Sequence, residues 1–171
     1  MTDDITFGIG YVRGNVAYDR LCIGGTSMCT EDDFKFLLGH TTNDLDDSQA
    51  GLIGLAPPTT YYNHDNEFFV SHLYENGAVD HNIFSLYVDL NNTSQMTIGG
   101  YDTDEYARGR DITWHDLPKR AYHWEMTMSK VEMKMNGITS RMGEGEDIIL
   151  DCGTSVNLMP YRHWMSFKSR L

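Results

Sequence analysis

Proline and cysteine are scarce in this chain of 171 residues, at 4 and 3, and positive charge is thin, with 13 Lys and Arg against 25 Asp and Glu. The resulting net charge of −12 at pH 7 repels phosphate backbones and anionic lipid, so nucleic acid and membrane surfaces are not expected partners. The one basic cluster, Arg108, Arg110, Lys119 and Arg120, is sparse and reads as a solvated loop. No run of about eighteen apolar residues occurs, which excludes a spanning helix. Met1-Thr2-Asp3-Asp4 has neither a basic start nor an apolar run, so no signal peptide is expected in this chain. Cys22, Cys29 and Cys152 cannot all pair, and none lies in a metal-ligand spacing. Cys22 and Cys29 can close a short loop in an oxidising compartment. The 7 His show no HxH or HExxH spacing, so no metal and no other cofactor is expected.

What is present is the composition of a packed protein, 40% apolar and 22% charged, and the length divided by about 150 residues suggests one domain or one and a piece. Glycine is plentiful at 16, and the apolar runs are short and punctuated by turn residues. That rhythm predicts an all-β architecture. Strands are expected at Ile5–Phe7, Tyr11–Tyr18, Leu21–Ile23, Phe34–Leu38, Leu52–Leu55, Ile83–Val88, Gln95–Ile98, Asp111–Trp114 and Trp124–Met128. Two segments read as helices instead. Glu67–Glu75 places Phe69 and Leu73 four apart with Gly77 as a stop, and Pro160–Lys168 forms a final helix. No internal repeat is visible.

The most chemical segment is Ile148-Ile149-Leu150-Asp151-Cys152-Gly153-Thr154-Ser155, where an apolar strand delivers a carboxylate into a glycine-containing turn bounded by hydroxyls. Burial would raise the free energy of the charged form, while hydroxyl and backbone donors would orient it. An Asp making an ordinary turn at a strand end fits the local pattern equally well. Other motifs read more simply. Gly8, Gly10 and Gly14 miss the dinucleotide fingerprint by one residue and lack a βαβ setting. Asp102-Thr103-Asp104 follows Gly99-Gly100-Tyr101 and reads as a turn. Asn91 and Asn92 each begin an N-glycosylation sequon, usable only on the secretory route.

The Asp151–Ser155 stretch resembles the second catalytic motif of the pepsin-like aspartic proteases, Asp-Thr-Gly-Thr-Ser, with Cys152 in place of the first Thr. Other stretches fall into that family's order. Ile5–Gly10 resembles the active-site flap, Asp19–Gly25 the strand after it, and Leu52-Ile53-Gly54-Leu55-Ala56 the segment beside the first catalytic loop. Asn66–Val79 resembles the helix and glycine turn that follow, and Ile83–Val88 the next strand. Met96–Asp102 is similar to the strand and turn leading to the sheet between the lobes, and Trp124–Met133 to the strand pair before the second motif.

The resemblance implies a double-lobed β-barrel fold present in part. Residues 1–101 would be the second part of the N-terminal lobe with the flap, and 102–171 the interlobe strands and the first part of the C-terminal lobe. It implies endopeptidase chemistry on a polypeptide, in which two carboxylates share one proton and activate water. Asp151 matches one member, with Cys152, Gly153, Thr154 and Ser155 supporting its loop and Phe7, Gly8, Ile9 and Gly10 covering substrate. Phe7 stands where the flap usually has Tyr. No second Asp followed by Thr or Ser and Gly occurs, and the family places its first motif upstream of the flap. The isolated chain is therefore expected to be inactive and to need the remaining lobe segments. A vacuolar, lysosomal or secreted location follows from the resemblance alone. A non-catalytic peptide- or protein-binding homologue on the same fold is the competing reading, and an unrelated small β protein the third. The acidic composition suits either of the first two, since near pH 4 about half the carboxylates are protonated.

Overall fold

The computed structural model describes residues 2–6, 10–44, 50–58, 68–90, 93–119, 121–154 and 156–169. Its contacts fall into two units, Met1–Ile112 and Thr113–Leu171. Both are built from antiparallel strands with a few short helices, so the chain is all-β as its punctuation implies.

In the first unit β1 (Thr2–Thr6) and β2 (Tyr11–Asp19) pair antiparallel up to Thr6 opposite Tyr11, and β2 continues onto β3 (Phe34–Asn43). Asp4 and Arg13 face each other across β1 and β2 and form a two-pronged ion pair, both bonds 2.8 Å long. The register slips between Arg13 and Gly14, and there the strands approach closely. A Cβ on Gly14 would lie 2.3 Å from the Leu38 carbonyl oxygen, so only glycine fits. β3 runs well beyond the expected Leu38, through Gly39-His40-Thr41-Thr42, because its ladder with β2 and not its hydrophobicity sets its length.

Helix α1 (Phe69–Glu75) buries Phe69, Val70 and Leu73 against Phe34 at the start of β3. Phe34 and Phe69 meet edge to face at 5.9 Å, and Leu73 is 0% exposed at the centre of the cluster. Ser71 and Asn82 hydrogen-bond each other at 3.1 Å, which satisfies a hydroxyl inside the apolar contact. Gly77, at φ 69°, ends the helix, and the Ala78 N–H returns to the Leu73 carbonyl at 2.8 Å. The hairpin of β4 (Phe84–Tyr87) and β5 (Gln95–Ile98) adds Phe84 and Ile98 to this core. Residues 102–112 belong to this unit too. Asp102 caps α2 (Thr103–Tyr106) by accepting the Glu105 N–H at 2.9 Å, and the Tyr106 hydroxyl donates to Gln95 at 2.6 Å.

Three expected strands are not strands. Leu21–Ile23 contributes a single bridge, Cys22 opposite Cys29, and Leu52–Leu55 and Asp111–Trp114 lie outside every strand. A short apolar run becomes a strand only where its pairing continues over several residues, and Leu21–Ile23 meets Met28–Thr30 only briefly, the Ile23 N–H donating to the Met28 carbonyl at 3.0 Å and the Thr30 N–H to the Leu21 carbonyl at 2.9 Å.

In the second unit β6 (Glu125–Met128) pairs antiparallel with β9 (Glu146–Ile149), and β7 (Val131–Met135) with β8 (Ile138–Gly143). Asn136 and Gly137, at φ 51° and 79°, form the two-residue turn between β7 and β8, which is the left-handed geometry that Asn-Gly favours. Helix α3 (Tyr161–Lys168) follows, and its His163 ring lies against Gly143 of β8, where a Cβ would be only 2.8 Å from the ring. No helix of the described residues is long and apolar enough to cross a membrane.

Candidate active site

β9 carries the chain from Glu146 to Ile149, and the Leu150 N–H extends the ladder by donating to the Trp124 carbonyl at 2.8 Å. The strand therefore stops just before Asp151, which opens a tight turn. The Gly153 N–H donates to one Asp151 oxygen at 2.8 Å, and the Thr154 hydroxyl donates to the other at 2.5 Å. Each carboxylate oxygen thus has its own donor, and the plane of the group is fixed. Position 153 is tight for any other residue. A Cβ there would sit 3.1 Å from the nearer Asp151 oxygen and press on the carboxylate it now orients.

The electrostatics correct the expectation of burial. Ile149 and Leu150 are 53% and 56% exposed, and Asp151 is exposed as well. Desolvation is therefore a minor influence. The Thr154 hydroxyl first, then the Gly153 N–H, hold the carboxyl below its ordinary range, and nearby His123 acts in the same direction. The reason is structural: β9 has one ladder partner, β6, so the apolar run before Asp151 is not enclosed among the described residues. Both hydrogen bonds come from the turn itself, so Asp151 stands here as a single oriented carboxylate.

The other expected site residues divide in two groups. Cys152 is exposed and carries a free thiol, while Cys22 and Cys29 are joined as a disulfide. Gly10 is buried at the head of β2, where a Cβ would lie 2.3 Å from the Asn43 carbonyl oxygen. Phe7, Gly8, Ile9, Ser155, Asn91 and Asn92 lie outside the described residues. Beside the sequons, the Thr93 hydroxyl donates to Asp89 at 2.8 Å. Among the described residues no group of His, Cys, Asp and Glu is placed to hold a metal ion. An open cleft of about 640 Å³ between His115–Pro118 and β6 is remote in sequence from the Asp151 turn and is lined in part by Met126, Met128 and Lys130.

Two features near the turn escaped the sequence reading. His123 is one, with no motif to mark it. The other is a cluster in which Glu146 accepts from Arg162 and lies 3.0 Å from the His163 ring nitrogen. Its signal was available, since Arg162 sits in the first turn of a helix, where the macrodipole disfavours a cation.

Antiparallel hairpins leading to a strand-to-turn carboxylate, oriented by a glycine N–H and a threonine hydroxyl, define a class: all-β proteins with an acid side chain held in one orientation at a strand end. The family model for eukaryotic aspartyl proteases matches residues 1–170, and the chain belongs to that family. It is 27% identical over 161 residues to pepsin A of Bos taurus, covering 91% of this chain and 41% of that protein. It is 29% identical to pepsin A of Sus scrofa over 160 residues, covering 89% and 38%. With pepsin-2B of Gadus morhua it shares 28% over 166 residues, covering 93% and 48%. The chain spans less than half the length of these curated relatives.

Proposed function

We propose that this chain contributes one of two carboxylates, Asp151, to an acid endopeptidase that cleaves an extended polypeptide. The observation that carries the reading is the Asp151 turn, with Gly153 and Thr154 each bonded to one carboxylate oxygen at 2.8 and 2.5 Å. In such chemistry two carboxylates about 3 Å apart share a proton, one drawing a proton from bound water while the other gives one to the peptide carbonyl. Asp151, held in its ionised form by two donors, is suited to that pair but cannot form it alone. The second carboxylate comes from polypeptide outside these 171 residues. On this reading residues 1–101 form part of one lobe, with the segment Phe7 to Gly10 covering substrate. Residues 102–171 then supply the interlobe strands and the first part of the other lobe.

The test compares the 171-residue chain with a longer form that carries an Asp-Thr-Gly-Ser-like motif ahead of Met1. The longer form should cleave a denatured protein at acid pH in a pepstatin-sensitive way, and Asp151→Asn should abolish it, while the short chain should not cleave. Cleavage by the short chain, or by the longer form with Asp151→Asn, overturns the reading. The exposed thiol of Cys152, where the family motif has a hydroxyl, favours a second reading, a peptide-binding homologue with decayed chemistry. An inactive longer form that still binds pepstatin would select it.

A further inference from the structure

We propose that Glu146, Arg162 and His163 form a clamp that positions Asp151, by joining the start of β9 to the first turn of α3 and so closing the loop on which the carboxylate stands. The inference rests on Asp151 being the reactive carboxylate of the proposed function.

The two hydrogen bonds that orient Asp151 lie within four residues of each other and are exposed to water. Water competes for each donor, so such a turn holds one conformation only if its flanks are held. The N-terminal flank is secured by the β6–β9 ladder, ending in the Leu150 bond to Trp124. The C-terminal flank is α3, whose N-cap, Pro160, makes no side-chain cap bond. The clamp ties the first turn of α3 to β9. Glu146 receives the Arg162 guanidinium, and the His163 Nε2 lies 3.0 Å from the same carboxylate oxygen. Glu146 and His163 side chains are only 19% and 13% exposed, so solvent screens their contact less than an ordinary surface pair. The His163 ring fills the space over Gly143 of β8, which fixes the helix against the hairpin as well.

The choice of residues supports a role. Arg162 in the first helical turn, with no acid in that turn, opposes the helix macrodipole. Its own helix gains nothing from it, and Glu146 across the loop is the partner that accounts for it. Loop closure of this kind removes conformational freedom from every residue between the two anchors, Asp151 among them.

The experiment follows the Asp151 carboxyl by its ¹³C shift, and solvent exchange of the Gly153 N–H, in the whole 171-residue chain. Arg162→Ala removes a side chain that is 71% exposed and places the best helix former in that turn, so the fold is kept. The Asp151 titration should move up toward the ordinary carboxylate range, and the Gly153 N–H should exchange faster. Arg162→Lys, which retains the cation, should restore most of both. Arg141→Ala, which breaks the exposed pair with Glu144 at 2.7 Å, should change neither. Glu146→Ala should reproduce Arg162→Ala or exceed it; if it unfolds the chain, Arg162→Ala alone decides. An unchanged Asp151 titration and Gly153 exchange in folded Arg162→Ala overturn the proposal. Failure of the longer form to cleave peptides would overturn the proposed function and leave these two readings untouched.

Discussion

Leu73→Ala tests whether the small cluster around α1 is what holds the β1–β2–β3 sheet in its unit. Leu73 is fully buried, and its neighbours Phe34, Phe69 and Val70 are themselves buried, so the site has rigid walls that cannot collapse inward. The change removes about three methylene equivalents, about 2.4 kcal/mol of transfer free energy. The unrelaxed part of the cavity adds to that, at about 24 cal/mol per Å³, and brings the expected loss to about 3–4 kcal/mol. Against the roughly 5–15 kcal/mol of an ordinary domain this is a large fraction. The effect reaches the sheet through Phe34, which is both a wall of the cavity and the first residue of β3, opposite Asp19 at the end of β2. Urea unfolding followed by far-UV circular dichroism is the assay. With a slope of about 2 kcal/mol per M, the midpoint should fall by about 1.5–2 M or the variant should be unfolded at the outset. Leu38→Ala, on the same sheet but exposed, is the comparison and should cost under about 0.5 kcal/mol. Equal losses for the two variants would refute the placement of the core.

Two further outcomes are expected. Thr154→Val removes the larger influence holding the Asp151 carboxyl low, so its titration should rise. Because the folded-state value lies below the unfolded one, Asp151 favours folding above the unfolded value and this support is lost as pH falls through the folded value; the variant should show less of that loss. A titration identical to that of the parent would contradict the hydroxyl's role. Replacing both Cys22 and Cys29 by Ser opens a loop with a sequence separation of 7 and should cost about 2 kcal/mol, read as a lower thermal midpoint. An unchanged midpoint would show that the hydrogen bonds between Ile23 and Met28 and between Leu21 and Thr30 close this loop unaided.

How far the residues announced this structure depends on whether the signal was local. Helix α1 was legible from the spacing of Phe69 and Leu73 and from Gly77, because burial of one face and a left-handed stop are both written within a few positions. The Asp151 turn was legible for the same reason, since its donors lie two and three residues away. The exposure of Asp151 was not, because the enclosure of a strand depends on what other segments cover it. Leu52–Leu55 fails as a strand on the same ground: its apolar pattern is intact, and Leu55 packs against the α1 cluster, but an apolar pattern does not by itself make a ladder. The β7–β8 hairpin is the opposite case. Asn136-Gly137 between alternating residues is a strong local turn signal, and the periodicity of Val131–Met135 and Ile138–Gly143 was there to be read with it.

The three sulfurs set conflicting demands on how the protein is handled. The exposed Cys152 thiolate can attack the Cys22–Cys29 bridge of another copy, forming a mixed disulfide between chains and releasing one bridge cysteine as a thiol. A reductant that keeps Cys152 from cross-linking also opens the bridge. Acid resolves the conflict, because exchange proceeds through the thiolate, and the thiolate becomes scarce as pH falls. A chain with one bridge and one spare thiol thus keeps its native pairing under mildly acidic conditions and scrambles it under alkaline ones.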